Sequence, residues 1–151
     1  MPRSTGPYLG VAAICERVLQ EHDGVLSLIR VIDRIGVQIQ TSGPSGVPVP
    51  VVQPPPYQIV VAVTFKSGEF RGQLPLKLMV KTPSGFKWPE FEVSVLFEGD
   101  DRGVNVVLPM QFPVQDEGLY WFVVELGGEI MTRIPLRVIK QTSTTSVPPQ
   151  L

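Results

Sequence analysis

Cysteine and histidine are almost missing from this sequence of 151 residues, which contains one of each. Cys15 has no second cysteine with which it could form an internal disulfide. One cysteine and one histidine, His22, are also too few for a zinc site of the Cys/His kind within one chain. The sequence therefore excludes a disulfide scaffold and a Cys/His zinc domain.

An excess of charge of either sign is also missing. The chain has 13 basic and 14 acidic side chains, a net charge of -1, and the two signs are interspersed. Such a balance provides no long-range field that would gather nucleic acid or an anionic membrane surface. We predict a protein that binds neither of them, and no motif in the sequence indicates a cofactor.

Long hydrophobic runs are missing too. No segment approaches the roughly 20 apolar residues of a membrane helix, and the stretch from Met1 to Tyr8 lacks the apolar centre of a signal peptide. A chain of this length with 43% hydrophobic residues is typical of one globular domain. We therefore expect a single cytoplasmic domain.

Apolar side chains instead alternate with polar ones, which is the period of a β-strand. Strands are predicted at 57–65, 74–80, 91–97, 104–110, 118–126 and 130–139, separated by short segments rich in turn residues. Gly127-Gly128 fits a tight hairpin turn between the last two strands. Many short strands at this spacing predict an antiparallel β-sandwich of seven to nine strands, Ig-like or related. The predicted core consists of Ile59, Val61, Val63, Leu76, Leu78, Val93, Val95, Leu108, Tyr120, Phe122, Val124, Leu136 and Val138.

The first third of the chain is open to more than one interpretation. A hairpin turn at Asp23-Gly24 would join a strand at 12–20 to a long segment at 25–40. That segment is either a bent strand or two strands with a bulge between Arg30 and Arg34, and a helix from Gly24 to Ile35 is the alternative. We predict a domain over 8–141 with a proline-rich loop at 41–56, and disordered ends at 1–7 and 142–151.

The segment that begins at Asp116 resembles a signature of immunoglobulin-like domains. Asp116, Gly118, Tyr120 and Phe122 are similar to the pattern Asp-x-Gly-x-Tyr-x-Cys, with Phe122 in place of the cysteine. The resemblance implies that Tyr120 is a corner tyrosine, whose hydroxyl group bonds back to the backbone. It implies a sandwich without the usual disulfide.

A second resemblance covers nearly the whole chain. It is to a family of small bacterial proteins of unknown function, and it implies a bacterial single-domain protein without indicating an activity or a site. The segments that carry it are Cys15–Val18, Asp23–Arg30, Ile32–Ile35, Tyr120–Phe122 and Thr132–Val138.

Two isolated residues are candidates for a catalytic group. His22 lies between Glu21 and Asp23 at the predicted hairpin turn, where a solvated side chain is expected rather than a general base. Cys15 lies in an apolar stretch, so we expect a buried small side chain, although Arg17 could favour a reactive thiolate.

Acidic side chains are concentrated in two predicted turns, Glu98 with Asp100 and Asp101, and Asp116 with Glu117. If both turns meet at one end of the sandwich, their oxygens could bind calcium or supply the paired carboxylates of a glycosidase. The alternative is that they only solubilise the turns.

Arginines within apolar strands indicate either a site for an anion or a protein partner, or ion pairs within the chain, for which Asp33 is the natural acid. The arginines are Arg30, Arg34, Arg133 and Arg137.

Apolar residues on the outward phase of the predicted strands form a possible contact patch, unless the loop at 41–56 covers it. The leading hypothesis is a non-catalytic module that binds another protein or itself. A calcium- or small-ligand-binding sandwich and a carboxylate-dependent hydrolase are the alternatives. The predicted interaction residues are Trp121, Val123, Leu96, Val107, Ile139, Arg30, Arg34 and Arg133.

Overall fold

Seven β-strands make up the fold. The computed structural model describes residues 5–40, 56–113 and 116–143, and no helix occurs in these ranges, so they contain no helical membrane span. The predicted all-β class is confirmed. The strands are β1 (Tyr8–Gln20), β2 (Leu26–Val31), β3 (Arg34–Gln40), β4 (Tyr57–Lys81), β5 (Phe91–Phe112), β6 (Gly118–Leu126) and β7 (Glu129–Ser143).

The strands are joined edge to edge in the order β2-β1-β4-β6-β7-β3, and β5 pairs with β4 outside this path. Each neighbouring pair is antiparallel except β3 and β7, which run parallel from Arg34 opposite Arg137. The predicted antiparallel arrangement therefore needs a correction at this one pair. A parallel pair requires a crossover connection, and β3 is separated from β7 by three intervening strands of the chain.

The β4–β5 hairpin bends in the middle and runs through two layers. Its register continues from Tyr57 to Leu78 on β4, with shifts between Lys66 and Arg71. Gly68 and Gly72 adopt positive φ angles of 62° and 132° in this stretch, which non-glycine residues rarely adopt. The segments 66–72 and 99–103, which were expected to separate independent strands, are therefore bends within continuous strands.

Each half of this hairpin has its own neighbours. β1 pairs with β4 before the bend and β6 pairs with β4 after it. We call β2, β1 and the adjoining halves of β4 and β5 the first layer. The second layer contains β3, β7, β6 and the remaining halves of β4 and β5.

The two layers pack face to face around one hydrophobic core. The ring of Phe112 in the first layer lies 4.8 Å from that of Tyr120 and 6.2 Å from that of Phe122, both in the second layer. The predicted core residues are all buried except Val93 and Leu108, which are half-buried and pack against the core. These contacts complete a β-sandwich, as the alternation of the sequence predicted.

Tyr120 closes the corner before β6. Its hydroxyl group donates a hydrogen bond of 2.8 Å to the backbone oxygen of Asp116, and the Asp116 N–H donates one of 3.2 Å to the hydroxyl oxygen. The Ser84 hydroxyl donates a further bond of 3.0 Å to the Asp116 carboxylate. The structure thus confirms the corner tyrosine that the immunoglobulin-like resemblance implies.

The first third forms strands, so the alternative of a helix at 24–35 is wrong. β2 and β3 are separate strands, and Arg30 has a positive φ angle of 55° just before the chain leaves β2. The Ile32 N–H then donates a hydrogen bond of 2.9 Å to the Ile14 oxygen as the chain crosses towards the second layer.

Described residues extend beyond both ends of the predicted domain. Gly6 and Pro7 are buried, and the Glu69 N–H donates a hydrogen bond of 2.8 Å to the backbone oxygen of Thr5. β7 extends to Ser143, beyond the predicted domain end at 141. The proline-rich segment 41–55 and the segments 1–4 and 144–151 lie outside the described residues.

Candidate interaction surfaces

The outer face of the first layer carries no charge across three rows of paired residues. Partners in an antiparallel pair point to the same side, and Ile14, Val61 and Leu108 point inward to the core. Their neighbours along each strand therefore point outward. We call this outward set the uncharged face, and it consists of Val11, Ala13, Cys15, Val31, Val60, Ala62, Thr64, Asn105, Val107 and Pro109.

The uncharged face spans all four strands of its layer. Val31, Cys15, Val60 and Pro109 are aligned in one row across β2, β1, β4 and β5. Exposure varies along this row, because Cys15 is fully buried whereas Val31 at the end of the row is 64% exposed. A continuous apolar face of this kind is typical of a docking surface.

Cys15 is a buried thiol within this face. Its Sγ lies 3.5 Å from the backbone oxygen of Val60, to which it donates a hydrogen bond. Burial raises the pKa of the Cys15 thiol, which keeps it protonated at neutral pH and makes it a poor nucleophile. The prediction of a buried small side chain is confirmed.

The outer face of the second layer is cationic around one tryptophan. Trp121 on β6 lies between Lys81 on β4 and Pro135 on β7 in the register of the sheet. Arg133 and Arg137 are exposed on either side of Pro135 along β7 and share its face. We call Lys81, Trp121, Arg133, Pro135 and Arg137 the cationic face.

The cations of this face are not neutralised within the described part of the chain. Among those residues, the side chains of Lys81, Arg133 and Arg137 form no ion pair and no hydrogen bond. The acidic residues nearby are engaged with other cations, because Glu125 and Glu92 stand on either side of Lys77 in the register and Asp33, next to Arg137, forms its ion pair with Arg34. The cationic face therefore keeps a local positive charge in a protein that is nearly neutral overall.

Several of the predicted interaction residues are brought together here. Trp121 is 37% exposed, and Arg133 is exposed beside it. Arg34 and Ile139 lie on the same outer face towards β3, where Arg34 pairs with Asp33 at 3.0 Å. The predicted intramolecular role of Asp33 is thus correct for Arg34.

Val123 requires a correction, because it is only 1% exposed and cannot act as a surface contact. It lies on the predicted outward phase, but β6 is a central strand. Met79 and Arg133 flank Val123 in the register and can cover so small a side chain.

The other predicted interaction residues lie apart from Trp121. Leu96 is exposed on the edge strand β5, opposite Gln73, and Val107 belongs to the uncharged face. Arg30 lies on β2 and forms an ion pair with Glu16, between its Nε and Oε2, at 2.8 Å. The predicted residues thus divide between the two layers instead of forming one patch.

Glu16 is the centre of a polar cluster that the sequence did not indicate. The Tyr57 hydroxyl donates a hydrogen bond of 2.9 Å to Glu16 Oε1, and Arg30 binds the other oxygen. The bond from Tyr57, followed by the contact with Arg30, lowers the pKa of Glu16. The same bond raises the pKa of Tyr57.

The two acidic clusters lie at opposite ends of the second layer. Asp100 lies at the bend opposite Gly68 and binds Arg71 at 3.3 Å, whereas Asp116 lies at the tyrosine corner beyond Lys81. The strand between Arg71 and Lys81 extends roughly 30 Å. The described residues contain no group of side chains able to hold a metal ion. A calcium site or a glycosidase pair was predicted only if the two acidic turns meet at one end of the sandwich. The two turns do not meet.

His22 is exposed at the β1–β2 turn. The adjacent Asp23 accepts a hydrogen bond of 3.1 Å from the Val25 N–H, which shapes the turn. The interpretation of His22 as a solvated turn residue is confirmed.

Sequence reasoning missed most of the uncharged face. A signal was present, because Val11, Ala13 and Cys15 alternate with inward residues at period two. The first third of the chain was open to more than one interpretation, and that ambiguity hid the second apolar phase.

The chain is similar to several solved structures at low sequence identity. An immunoglobulin-like protein from Pseudomonas aeruginosa is 14% identical at a TM-score of 0.41, and the match covers 90% of this chain and 99% of that one. A β-glucosidase from Listeria innocua in complex with glucose is 11% identical at a TM-score of 0.46, covering 74% and 15%. The alkylpurine DNA glycosylase AlkC from Pseudomonas fluorescens, bound to DNA containing an abasic site analog, is 12% identical at 0.42, covering 70% and 27%.

The chain therefore spans only a small part of the glucosidase and about a quarter of the glycosylase. At TM-scores below 0.5 these likenesses give no ground for assigning a substrate. No curated protein matches the chain. A family model does match, over residues 10–139, and it places this chain in the family of unknown function DUF6941, in agreement with the predicted resemblance.

Proposed function

We propose that the protein is a non-catalytic interaction module that associates with a second copy of itself through the uncharged face. The observation that supports this proposal is the uncharged face, which reaches across four strands and includes Val31 and Val11, 64% and 44% exposed. Burial of such surface is favourable by about 25 cal/mol per Å². Because this face carries no charged side chain, contact with another uncharged surface buries no unpaired ion.

A second copy suits this face because of its shape. Sheets that pack face to face need matching twists, and they then lie at about 30° to each other. Two copies of one sheet have identical twists. A two-fold axis through the uncharged face would bring each copy's Val31 and Val107 against the other copy in a closed dimer.

The area of the face predicts a weak dimer. Each of the ten positions takes about 4.8 Å across the strands and about 7 Å along them, so the face covers roughly 340 Å². Two copies would bury roughly 700 Å² in all, below the roughly 1,200 Å² of stable interfaces. We therefore expect association at high protein concentration, with exchange between monomer and dimer.

The proposal of a non-catalytic role is supported by the placement of the reactive side chains. Cys15 is held as a neutral thiol, His22 is solvated, and the acidic clusters at Asp100 and Asp116 stand apart. These groups do not converge on one cleft as an acid, base or nucleophile would. A bacterial and cytoplasmic setting remains a prediction.

Light scattering over a range of protein concentrations tests the self-association. We expect the mass of the wild-type protein to rise from 16.6 kDa towards twice that value. In a dimer of either variant, Val31→Glu or Val107→Glu, each copy would bury one carboxylate in the interface. Each variant should therefore remain monomeric.

Val25→Glu is the matched control, because Val25 is also an exposed valine of the first layer but lies at the β1–β2 turn. It should dimerise as the wild type does. Thermal unfolding of each variant verifies that it is folded. A wild type that stays monomeric at every concentration, or a dimer that survives both face substitutions, contradicts the proposal.

A further inference from the structure

We propose that the cationic face binds an acidic segment of another polypeptide, with carboxylates on Arg133, Arg137 and Lys81 and an apolar side chain on Trp121. This site lies on the second layer and goes beyond the self-association proposed for the first. The two interactions use different residues, so each can fail without the other.

Charge complementarity identifies the partner as anionic. Lys81, Arg133 and Arg137 have no acid opposite them within the described residues, whereas Lys77 has one on each side. Lys87 pairs with Lys81 in an isolated bridge and adds a further cation at this edge. A row of unopposed cations is repulsive in the free protein, and that repulsion is relieved when carboxylates bind.

Trp121 supplies the apolar part of the site. It is exposed at the centre of the cations, with Pro135 beside it on β7. Tryptophan and arginine are the residue types that most often dominate binding energy at protein interfaces. An apolar side chain of the partner that covers the indole would also remove water from the adjacent ion pairs and so strengthen them.

The spacing of the cations matches an extended peptide. Arg133 and Arg137 are four residues apart on β7, which is about 13 Å along a strand. Carboxylates four residues apart in an extended segment have the same separation, with a central residue between them. Lys81 lies two strands from β7, about 10 Å across the sheet, and Trp121 lies on the strand between them.

An acidic polypeptide is favoured over nucleic acid. The face offers few cations, and the net charge of -1 provides no field to gather a polyanion. Proteins that bind duplex DNA contact about 6–10 phosphates. The arginine fork binds carboxylate in bidentate fashion, which the strand-like spacing of Arg133 and Arg137 permits at two points.

Fluorescence anisotropy with a labelled synthetic peptide tests the site. The probe is an extended sequence with glutamates four residues apart and leucine midway between them. We expect saturable binding at low salt that weakens as sodium chloride is raised to about 0.5 M, where the Debye length is only about 4 Å. Arg133→Glu and Arg137→Glu should each weaken binding at least tenfold, and Trp121→Ala should weaken it at constant charge.

Arg102→Glu is the matched control, because it makes the same change of net charge at the bend, away from the cationic face. It should bind the peptide as the wild type does. Equal loss of binding in Arg102→Glu and Arg133→Glu would overturn the site, and so would a wild type that does not bind the probe. Tighter binding of a single-stranded oligonucleotide of equal charge would overturn the acidic polypeptide as the partner.

Discussion

The two layers of the sandwich have similar inner faces and dissimilar outer faces. Inside, both layers contribute aliphatic and aromatic side chains to one core, as the contact of Phe112 with Phe122 illustrates. Outside, the first layer is uncharged around Val31 and the second is cationic around Trp121. Folding requires apolar residues on the inner phase alone, so the residues on the two outer phases are free to differ.

The largest effect is expected where the layers are equivalent. Phe122→Asp in the second layer and Val61→Asp in the first would each bury a carboxylate in the shared core, since both side chains are fully buried. We expect each substitution to cost at least about 4 kcal/mol, a large part of the stability of a domain. Urea unfolding followed by tryptophan fluorescence measures this loss.

Equal damage from both substitutions would confirm that the layers depend on one core. A Phe122→Asp protein that is soluble and unfolds cooperatively near the wild-type midpoint would refute the core assignment. A large effect from only one of the two substitutions would show that the layers contribute unequally to stability.

A smaller difference is expected between the two tyrosine hydroxyl groups. Tyr120 is buried in the second layer and bonds twice to the backbone of Asp116, whereas Tyr57 in the first layer is half-buried and bonds to the half-buried Glu16. Tyr120→Phe should cost about 1–2 kcal/mol, because it leaves backbone groups without their partner, and Tyr57→Phe about 0.5 kcal/mol.

Urea unfolding of the two single variants and of the wild type provides the comparison. If Tyr57→Phe proved the more damaging of the two, the tyrosine corner would not be the stabilising element that its hydrogen bonds indicate.

The smallest expected effect is a pH dependence that originates in the first layer. The pKa of Glu16 is lowered in the folded protein, so this carboxylate contributes stability above the ordinary pKa of glutamate, about 4.3. That contribution is lost as the pH falls through the lowered pKa. The wild type should therefore melt above Glu16→Gln at pH 6, with a gap that closes as the solution is acidified.

Melting temperatures of both proteins between pH 2.5 and pH 7 measure the gap. Glu92→Gln is a suitable control from the second layer, because Glu92 is an exposed carboxylate on β5 that lies away from the Glu16 cluster. A gap for Glu16→Gln that stays constant across this range would mean that its ion pair does not respond to protonation.

Much of the fold could be predicted from local patterns. Alternation placed Ile59, Val124 and Leu136 in the core, and the glycine pair Gly127-Gly128 indicated the β6–β7 hairpin that the structure contains. The corner tyrosine was predictable because Tyr120 bonds to a residue only four positions away. Features that depend on residues close together in the sequence can therefore be predicted from the sequence.

Features that depend on residues far apart in the sequence could not be predicted. Gly68 and Gly99 indicate a change of direction equally well for a turn and for a bend, and only the pairing of β4 with β5 across both layers distinguishes the two. The parallel contact of β3 with β7 and the bond of Tyr57 to Glu16 join residues far apart in the sequence. The same limit hid the uncharged face, which exists only when four strands are aligned.

Of all measurements, co-sedimentation with the labelled acidic peptide tests most directly whether the two outer faces are separate docking sites. Protein mass and bound peptide are read in the same run for the wild type, Val31→Glu and Arg133→Glu. We predict that Val31→Glu binds peptide as a monomer and that Arg133→Glu dimerises without peptide. Loss of both properties in either folded variant would contradict the account.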